Sequence, residues 1–312
     1  MRNPCTGGLS SGPRTVGVMR VGVFVGTQSL DDFVAQVRSA ADAGFASAWA
    51  PQIFGLDALN ALAVAGREVS GIELGTAVVP TYPRHPMTLA IQALTTQAAC
   101  SGRLTLGIGL SHQVVVENMW GYDFGKPARH MREYLSVLLP LMRDKSIAFV
   151  GQTLKAMGQL QVNTDPPPVL LAALAPRMLA LAGALADGTI TWMTGPKTVG
   201  GHVVPHITQA ADEAGRSSPR VVVALPVAVT SNEAEARERA ANAFVIYGQL
   251  PSYRAMLDRE GAEGPADVAI VGDAASVRAQ VEQVFAQGAT DFVAVPFMET
   301  ERTLALVADI AT

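Results

Sequence analysis

Two glycines and a histidine stand together after an apolar segment in the sequence RLTLGIGLSH, residues 103–112. Gly107 and Gly109 flank Ile108, and Ser111 and His112 follow almost at once. One glycine is enough for a turn, whereas two indicate that another group comes close to the backbone. His112 can donate or accept a proton near neutral pH. The segment predicts a ligand-binding loop, although glycines that only let a strand meet its helix would give the same pattern.

Other kinds of catalytic site have little support in the sequence. A nucleophilic triad needs a serine or cysteine at a sharp turn beside a base, and no Gly-x-Ser-x-Gly motif occurs within residues 18–312. The five histidines are scattered along the chain, so we predict no metal site. The phosphate-binding P-loop motif is also absent. What remains is an apolar site with few polar groups, which suits a flat, conjugated cofactor that carries its own chemistry.

The elements that must position this loop alternate along the chain. Eight hydrophobic segments predict strands, and each is followed by a helical pattern. These segments are 20–26, 45–50, 72–80, 103–109, 167–174, 189–194, 220–230 and 291–297. The alternation predicts an α/β fold, a closed (β/α)8 TIM barrel, with an open doubly wound sheet as the alternative. Residues 146–163 alternate around glycines and predict a β-hairpin inserted after the fourth helix.

Composition restricts the partners and the compartment. The chain has 312 residues, a net charge of −4 and 16% charged residues, so we expect neither a nucleic-acid nor a membrane partner. No apolar run reaches about 18 residues, so no membrane span is expected. We predict a disordered tail at 1–17 and one barrel domain at 18–312. The two cysteines predict no disulfide framework, and a cytoplasmic location follows as the default.

Three longer segments resemble one family. GTAVVPTYPRHPMTLAIQALTTQAACSGRLTLGIGLSH (75–112) resembles the block from the third to the fourth strand of the bacterial luciferase-like flavin and deazaflavin oxidoreductases. LLAALAPRMLALAGALADGTI (170–190) resembles their phosphate loop and following helix, and GATDFVAVPF (288–297) resembles their last strand. The resemblance covers residues 19–312. GLSHQVVVENMWG (109–121) and YGQLPSYRAMLDREG (247–261) are most similar to actinobacterial members that use the deazaflavin coenzyme F420.

The resemblance implies a barrel, often a homodimer, with the cofactor lying across its mouth. In deazaflavin members a bulge in the third strand, often with a non-proline cis peptide, backs the ring. That bond would be Ala77–Val78 here. The fourth-strand loop would pass beside the ribityl chain and the ring. His112 falls where a related deazaflavin-dependent sugar-phosphate dehydrogenase has a catalytic glutamate, so it could donate a proton or orient the substrate; the alternative is that it only caps its loop.

The resemblance also implies a phosphate site in the fifth-strand loop, where backbone N–H groups and a helix N-terminus favour an anion. Ala175 stands where the family usually has glycine. The implied cofactor contacts are Ala77, Val78, Val79, Gly107, Ile108, Gly109, His112, Ala173, Leu174, Ala175, Pro176 and Arg177, and the implied substrate-pocket residues are Trp49, Gln52, Trp192 and Lys197.

The expected function is that of an F420-dependent oxidoreductase. Many deazaflavin dehydrogenases carry Asp-His after the second strand, where this chain has Gln52 and Ile53. Alcohol oxidation by a histidine base is therefore not expected. We favour a reductase that transfers hydride from F420H2 to an activated C=C or C=N bond of a small molecule or natural product, including a peptide-derived one. The alternatives are an FMN-dependent monooxygenase of the same superfamily and a barrel that binds a coenzyme or ligand without turnover.

Overall fold

The computed structural model describes residues 19–311, and the tail predicted at 1–17 lies outside the described residues. Within 19–311, eight parallel strands close a TIM barrel, as the alternation predicted. The strands are β1 (Arg20–Phe24), β2 (Ser47–Ala50), β3 (Glu73–Thr76), β4 (Val79–Pro80), β5 (Leu104–Gly109), β6 (Ser146–Val150), β7 (Lys155–Gln159), β8 (Val169–Leu171), β9 (Gly188–Trp192), β10 (Arg220–Val229), β11 (Ile270–Gly272) and β12 (Asp291–Pro296).

The ring follows the order β1, β2, β3, β5, β8, β9, β10 and β12, and β12 pairs with β1 to close it. Each ring strand corresponds to one of the eight predicted segments. The predicted hairpin is also present, because β6 and β7 pair antiparallel. The sequence reading missed β11, a three-residue strand that pairs with the end of β10 at Val227–Val229, beyond the residues that pair with β9.

Helices cover the outside of the barrel. They are α1 (Leu30–Asp42), α2 (Ala58–Glu68), α3 (Pro86–Ala99), α4 (Pro127–Asp144), α5 (Pro176–Leu185), α6 (Pro196–Thr198), α7 (Val204–Glu213), α8 (Glu233–Ala243), α9 (Val245–Gln249), α10 (Pro251–Glu260), α11 (Ala274–Ala286) and α12 (Thr300–Ala311). A π-helical turn at Val199–Val203 joins α6 to α7. In the described part of the chain, no helix is both long and apolar enough to cross a membrane.

The third barrel strand is interrupted by a bulge. Gly75 pairs with Thr105 and Val79 pairs with Ile108, so four residue steps on one strand face three on the other. The strand therefore carries one extra residue between β3 and β4, which displaces the intervening segment from the ladder. The Ala77–Val78 peptide bond in this segment is cis. Both features agree with the prediction from the family resemblance.

The inside of the barrel has its own apolar cluster. Trp49 is fully buried in it, and its Nε1–H donates a 2.8 Å hydrogen bond to Ser47 Oγ. A Cβ added at Gly75 would lie 2.3 Å from the Trp49 ring, so this ring needs the glycine on the neighbouring strand. Trp49 is thus a core residue, and its prediction as a substrate-pocket residue is wrong.

A charged network lies below Trp49, at the amino ends of the ring strands. Arg220 of β10 donates to Asp291 at 2.6 Å and to Glu73 at 2.7 Å, and Arg20 also pairs with both carboxylates. The Asp291 side chain is only 2% exposed. Burial alone would raise the pKa of Asp291, but the hydrogen bond and charge of Arg220 hold it below its ordinary value. These bonds connect strands from opposite sides of the ring.

We expect Arg220→Met to lower the free energy of unfolding by about 3 kcal/mol, the lower end of the cost of breaking a buried pair, because Asp291 and Glu73 then keep only the half-exposed Arg20 as a charged partner. Since pairing depresses the pKa of Asp291, this stability is present at neutral pH and is lost as Asp291 becomes protonated. The difference between wild type and variant should therefore shrink below about pH 4. Urea unfolding at several pH values measures it. Arg143→Met is the control, because Arg143 and Asp144 form an exposed pair and should contribute little. An equal loss of unfolding free energy in Arg220→Met and Arg143→Met would contradict the stabilising role of the Arg220 network.

Candidate active site

The bulge brings Ala77 and Val78 to the mouth of the barrel, which is the opening at the carboxyl ends of the ring strands. Both are partly exposed and pack on the interior cluster. Phe24, at the end of β1, and Ala172, just after β8, pack on the same cluster. These four apolar side chains, two of them alanines, form the floor of the mouth: Phe24, Ala77, Val78 and Ala172. Such a floor has the shape and polarity that a flat, conjugated ring requires.

The two glycines of β5 have an explanation inside the protein. A Cβ at Gly107 would lie 2.0 Å from the carbonyl oxygen of Thr76, and a Cβ at Gly109 would lie 2.8 Å from Val78 Cγ2. The Thr76 hydroxyl donates to Gly107 O at 2.7 Å and accepts from Gly107 N at 2.8 Å. The glycines therefore make room for the bulge. The N–H of Gly107 is already bonded to Thr76, so the group that comes close to the backbone here is the neighbouring strand, and a cofactor contact of Gly107 stays a prediction.

His112 lies where the loop after β5 meets a helix from the other side of the mouth. Ser111, just before it, adopts a left-handed conformation with φ 63°, which is uncommon for a residue with a side chain. The His112 ring is half-buried and tilted against Tyr253 of α10, with ring centroids 5.5 Å apart. Burial lowers the pKa of His112 from its ordinary 6.5, so the ring is neutral at pH 7.

An aromatic wall rises from the end of β9. The Trp192 ring meets Tyr247 and Phe244 edge-on at 5.7 and 5.8 Å, and Tyr247 meets Tyr253 at 5.2 Å. Phe297, after β12, contacts Phe244 at 5.8 Å. Sequence reasoning proposed Trp192 but missed the other members of this wall, Phe244, Tyr247, Tyr253 and Phe297. The signal was weak, because the first three stand in segment 244–260, which has the pattern of an ordinary amphipathic helix, and Phe297 ends the last predicted strand.

The predicted phosphate loop follows β8. Its last residues, Ala175, Pro176 and Arg177, are exposed, and Ala175 precedes α5 without a side-chain hydrogen bond to the helix. Five of the other α-helices have such a cap from the residue before them, as α1 has from Ser29 and α2 from Asp57. The start of α5 is therefore open to an external anion.

The remaining predicted contacts fall into two groups. Val79, Ile108 and Ala173 are at most 1% exposed, so their side chains belong to the core and not to the surface of the mouth. Gln52 Oε1 accepts a 2.8 Å hydrogen bond from Ala58 N at the start of α2, which gives its carbonyl a structural task. Lys197 is exposed, as a surface lysine would be.

The donor set at the mouth suits an organic cofactor better than a metal. Among the described residues, no group of three or more histidine, cysteine, aspartate or glutamate side chains is placed to hold a metal ion. Trp192 Nε1 is buried at the edge of the floor and makes no hydrogen bond of good geometry, although it lies near the Tyr247 hydroxyl and opposes the rise that burial causes in the pKa of Tyr247. The floor, the open start of α5 and this donor fit a flat cofactor with a phosphate group.

Comparison with known proteins gives this chain a family. The model of the luciferase-like monooxygenase family matches residues 15–291, so the chain belongs to that family. A putative coenzyme F420-dependent oxidoreductase of Mycobacterium tuberculosis is 30% identical over 57% of this chain, and the match spans only 55% of that relative's length. The 5,10-methylenetetrahydromethanopterin reductase of Archaeoglobus fulgidus is 27% identical over 78% of this chain and 74% of its own.

Solved structures share the fold. The coenzyme F420-dependent tetrahydromethanopterin reductase of Methanopyrus kandleri superposes with a TM-score of 0.79 at 22% identity, covering 94% of this chain and 98% of that one. A Baeyer–Villiger monooxygenase of Pseudomonas putida in complex with FMN gives a TM-score of 0.75 at 16% identity, covering 94% and 97%. The fold is therefore shared by proteins that use either coenzyme.

Alanine substitutions distinguish the packing roles of Gly107 and Gly109 in β5. Gly107→Ala should destabilise the protein more than Gly109→Ala, because the first methyl would lie 2.0 Å from a backbone carbonyl oxygen, whereas the second meets the end of the Val78 side chain at 2.8 Å and Ala172 Cβ at 3.2 Å. For Gly109→Ala we expect a loss of about 1–3 kcal/mol, together with weaker coenzyme binding as Val78 is displaced. Denaturant unfolding and coenzyme titration measure the two effects. Gly201→Ala is the control, since its Cβ would meet nothing within 4 Å; a control as unstable as Gly107→Ala would refute this reading.

Proposed function

We propose that this protein is an F420-dependent reductase that acts on an uncharged, largely apolar acceptor. The proposal depends mainly on the floor at the mouth, where the bulge presents Ala77 and Val78 beside Ala172. Small apolar side chains at this level let a planar ring lie flat across the barrel. The F420-dependent proteins among its relatives support the choice of coenzyme.

When bound, the reduced deazaflavin coenzyme supplies a hydride. The residues of the chain hold and surround it. The floor residues would hold the ring, and the free N–H groups at the start of α5 would hold the phosphate. The aromatic wall excludes water from the opposite side. His112, beside Tyr253, holds the proton that the acceptor takes up after hydride transfer.

The surroundings of the floor support the proposed direction of the reaction and the proposed kind of acceptor. An alcohol dehydrogenase needs a base next to the substrate hydroxyl, whereas the loop after β2 offers Gln52, whose oxygen is used by α2, and the exposed side chain of Ile53. The wall is built from rings, and it favours an apolar acceptor with an activated C=C or C=N bond. Natural products, including peptide-derived ones, remain within this class, and a homodimer remains a prediction.

An FMN-dependent monooxygenase is the second candidate, favoured by the structural likeness to the FMN-bound enzyme. A barrel that only binds a coenzyme is the third. Side-by-side titration separates them: we expect F420 to bind more tightly than FMN, with a change in deazaflavin absorbance as the readout. Oxidation of bound F420H2 by an apolar enone or imine, without oxygen, then supports the reductase. Tighter binding of FMN would refute the choice of coenzyme, and binding without turnover of any acceptor would favour the third candidate.

The proton-donor role of His112 has a pH signature. Since burial keeps the pKa of His112 below 6.5, only a minor fraction is protonated at pH 7. Turnover of the wild type should therefore rise as the pH is lowered through that pKa. His112→Ala should lower turnover ~100-fold and abolish this pH dependence, while coenzyme affinity changes little. Single-turnover oxidation of bound F420H2 measures the rate, and His206→Ala, an exposed histidine, is the control. An unchanged single-turnover rate would rule out the role.

A further inference from the structure

We propose that His202 is a positioning residue that fixes the loop Leu174–Arg177 so that its N–H groups receive the coenzyme phosphate. This inference rests on the proposed function, and it assigns a role to a side chain that contacts neither the ring nor the acceptor. His202 lies in the π-helical turn between α6 and α7, 28 residues from Leu174 along the chain.

The contact is direct and buried. His202 is 3% exposed, and its Nε2 lies 2.7 Å from the carbonyl oxygen of Leu174. Because a carbonyl only accepts, the ring must carry its proton on Nε2 and donate it. This hydrogen bond therefore attaches the π-helical turn before α7 to the loop immediately before α5.

The loop has little else to hold it. Thr189 Oγ1 donates to Leu171 O at 2.8 Å and lies 3.5 Å from Ala173 O, so this hydroxyl holds the end of β8. From Leu174 onward, Ala175 and Pro176 have no side-chain donor or acceptor with which to fix their own backbone. His202 therefore fixes the carbonyl of Leu174, one residue before Ala175, whose own carbonyl accepts the first hydrogen bonds of α5. A hydrogen bond that holds the Leu174 carbonyl toward the protein interior also fixes the orientation of the peptide groups that follow it.

Helix packing brings the two ends together. A Cβ at Gly183 in α5 would lie 2.3 Å from the carbonyl oxygen of Ile207 in α7, so the two helices approach backbone to backbone. The hydrogen bond between His202 and Leu174 shows that the segments before the two helices also meet. The π-helical turn, Val199–Val203, inserts an extra residue just before α7, and His202 within it points at Leu174 rather than outward. Gly183 and the π-helical turn are separate features, and both help to place His202 next to Leu174.

The electrostatic surroundings favour a neutral ring. Burial lowers the pKa of His202, its hydrogen bond to Leu174 opposes this effect, and the charges of Arg259 and His206 add to the lowering. The neutral form with Nε2–H still donates, so the contact persists above pH 7. His206 itself bonds to the backbone, through Nδ1 to His202 O at 2.7 Å.

A pair of amide variants tests the inference. Glutamine places an N–H close to the position of Nε2, whereas asparagine is one methylene shorter and does not reach Leu174. We expect His202→Asn to weaken F420 binding ~10-fold, the equivalent of one lost hydrogen bond, and His202→Gln to restore most of it. The probe is F420 beside its phosphate-free form, the deazaflavin ring with only its ribityl chain, which should bind all variants alike. The readout is the dissociation constant from absorbance or fluorescence titration.

Each outcome decides the question. Weaker binding of F420 alone supports the inference. Equal weakening of both probes, or none in a folded His202→Asn, overturns it while leaving the proposed function standing. Failure of the wild type to bind F420 overturns the proposed function and this inference with it. His206→Ala is the matched control and should bind both probes as the wild type does. Thermal unfolding of every variant identifies loss of fold. If His202→Asn does not fold, the decision rests on His202→Gln, whose dissociation constants for both probes must lie within about twofold of the wild-type values.

Discussion

The pairing of Arg220 with Asp291 and Glu73 is the constraint on which the rest of the barrel depends. Charges inside a barrel are costly unless every one of them is bonded, and here they are gathered at the amino ends of the ring strands. The guanidinium also lies 5.8 Å from the centre of the Trp49 ring. Above this ring the interior is apolar up to the mouth. Because the polar groups are satisfied at one end, the other end can remain apolar and receive a cofactor.

The bulge in the third strand connects the packing of the barrel interior to the candidate site. One extra residue displaces Ala77 and Val78 out of the ladder and onto the top of the interior cluster. The neighbouring strand must then supply room, which Gly107 provides, and its freed backbone groups need a partner, which the Thr76 hydroxyl provides. The floor of the mouth is therefore a consequence of strand pairing, and not of any polar residue placed there for binding. A sheet that presents backbone and small side chains in this way has few positions at which a substitution is neutral.

The mouth is completed by segments that are distant in the sequence. The loop after β5 carries His112, and the helices after β10 carry Tyr247 and Tyr253. The loop after β8 leads directly into the start of α5. The wall is apolar while the phosphate end is open, so the two ends of an elongated coenzyme would meet different environments. This division matches a family in which one barrel serves deazaflavin and flavin proteins alike.

The sequence by itself determined the eight ring strands, the inserted hairpin, and the family, because alternating apolar segments and long local motifs are properties of neighbouring residues. It also placed the bulge at Ala77–Val78. Only the tertiary structure decided what the glycines of β5 are for, that Trp49 is core, and that Tyr253 lies on His112. These facts depend on contacts between residues that are far apart in the chain. A glycine looks the same whether a ligand or a neighbouring strand occupies its missing side chain, and only the packed barrel tells which one does.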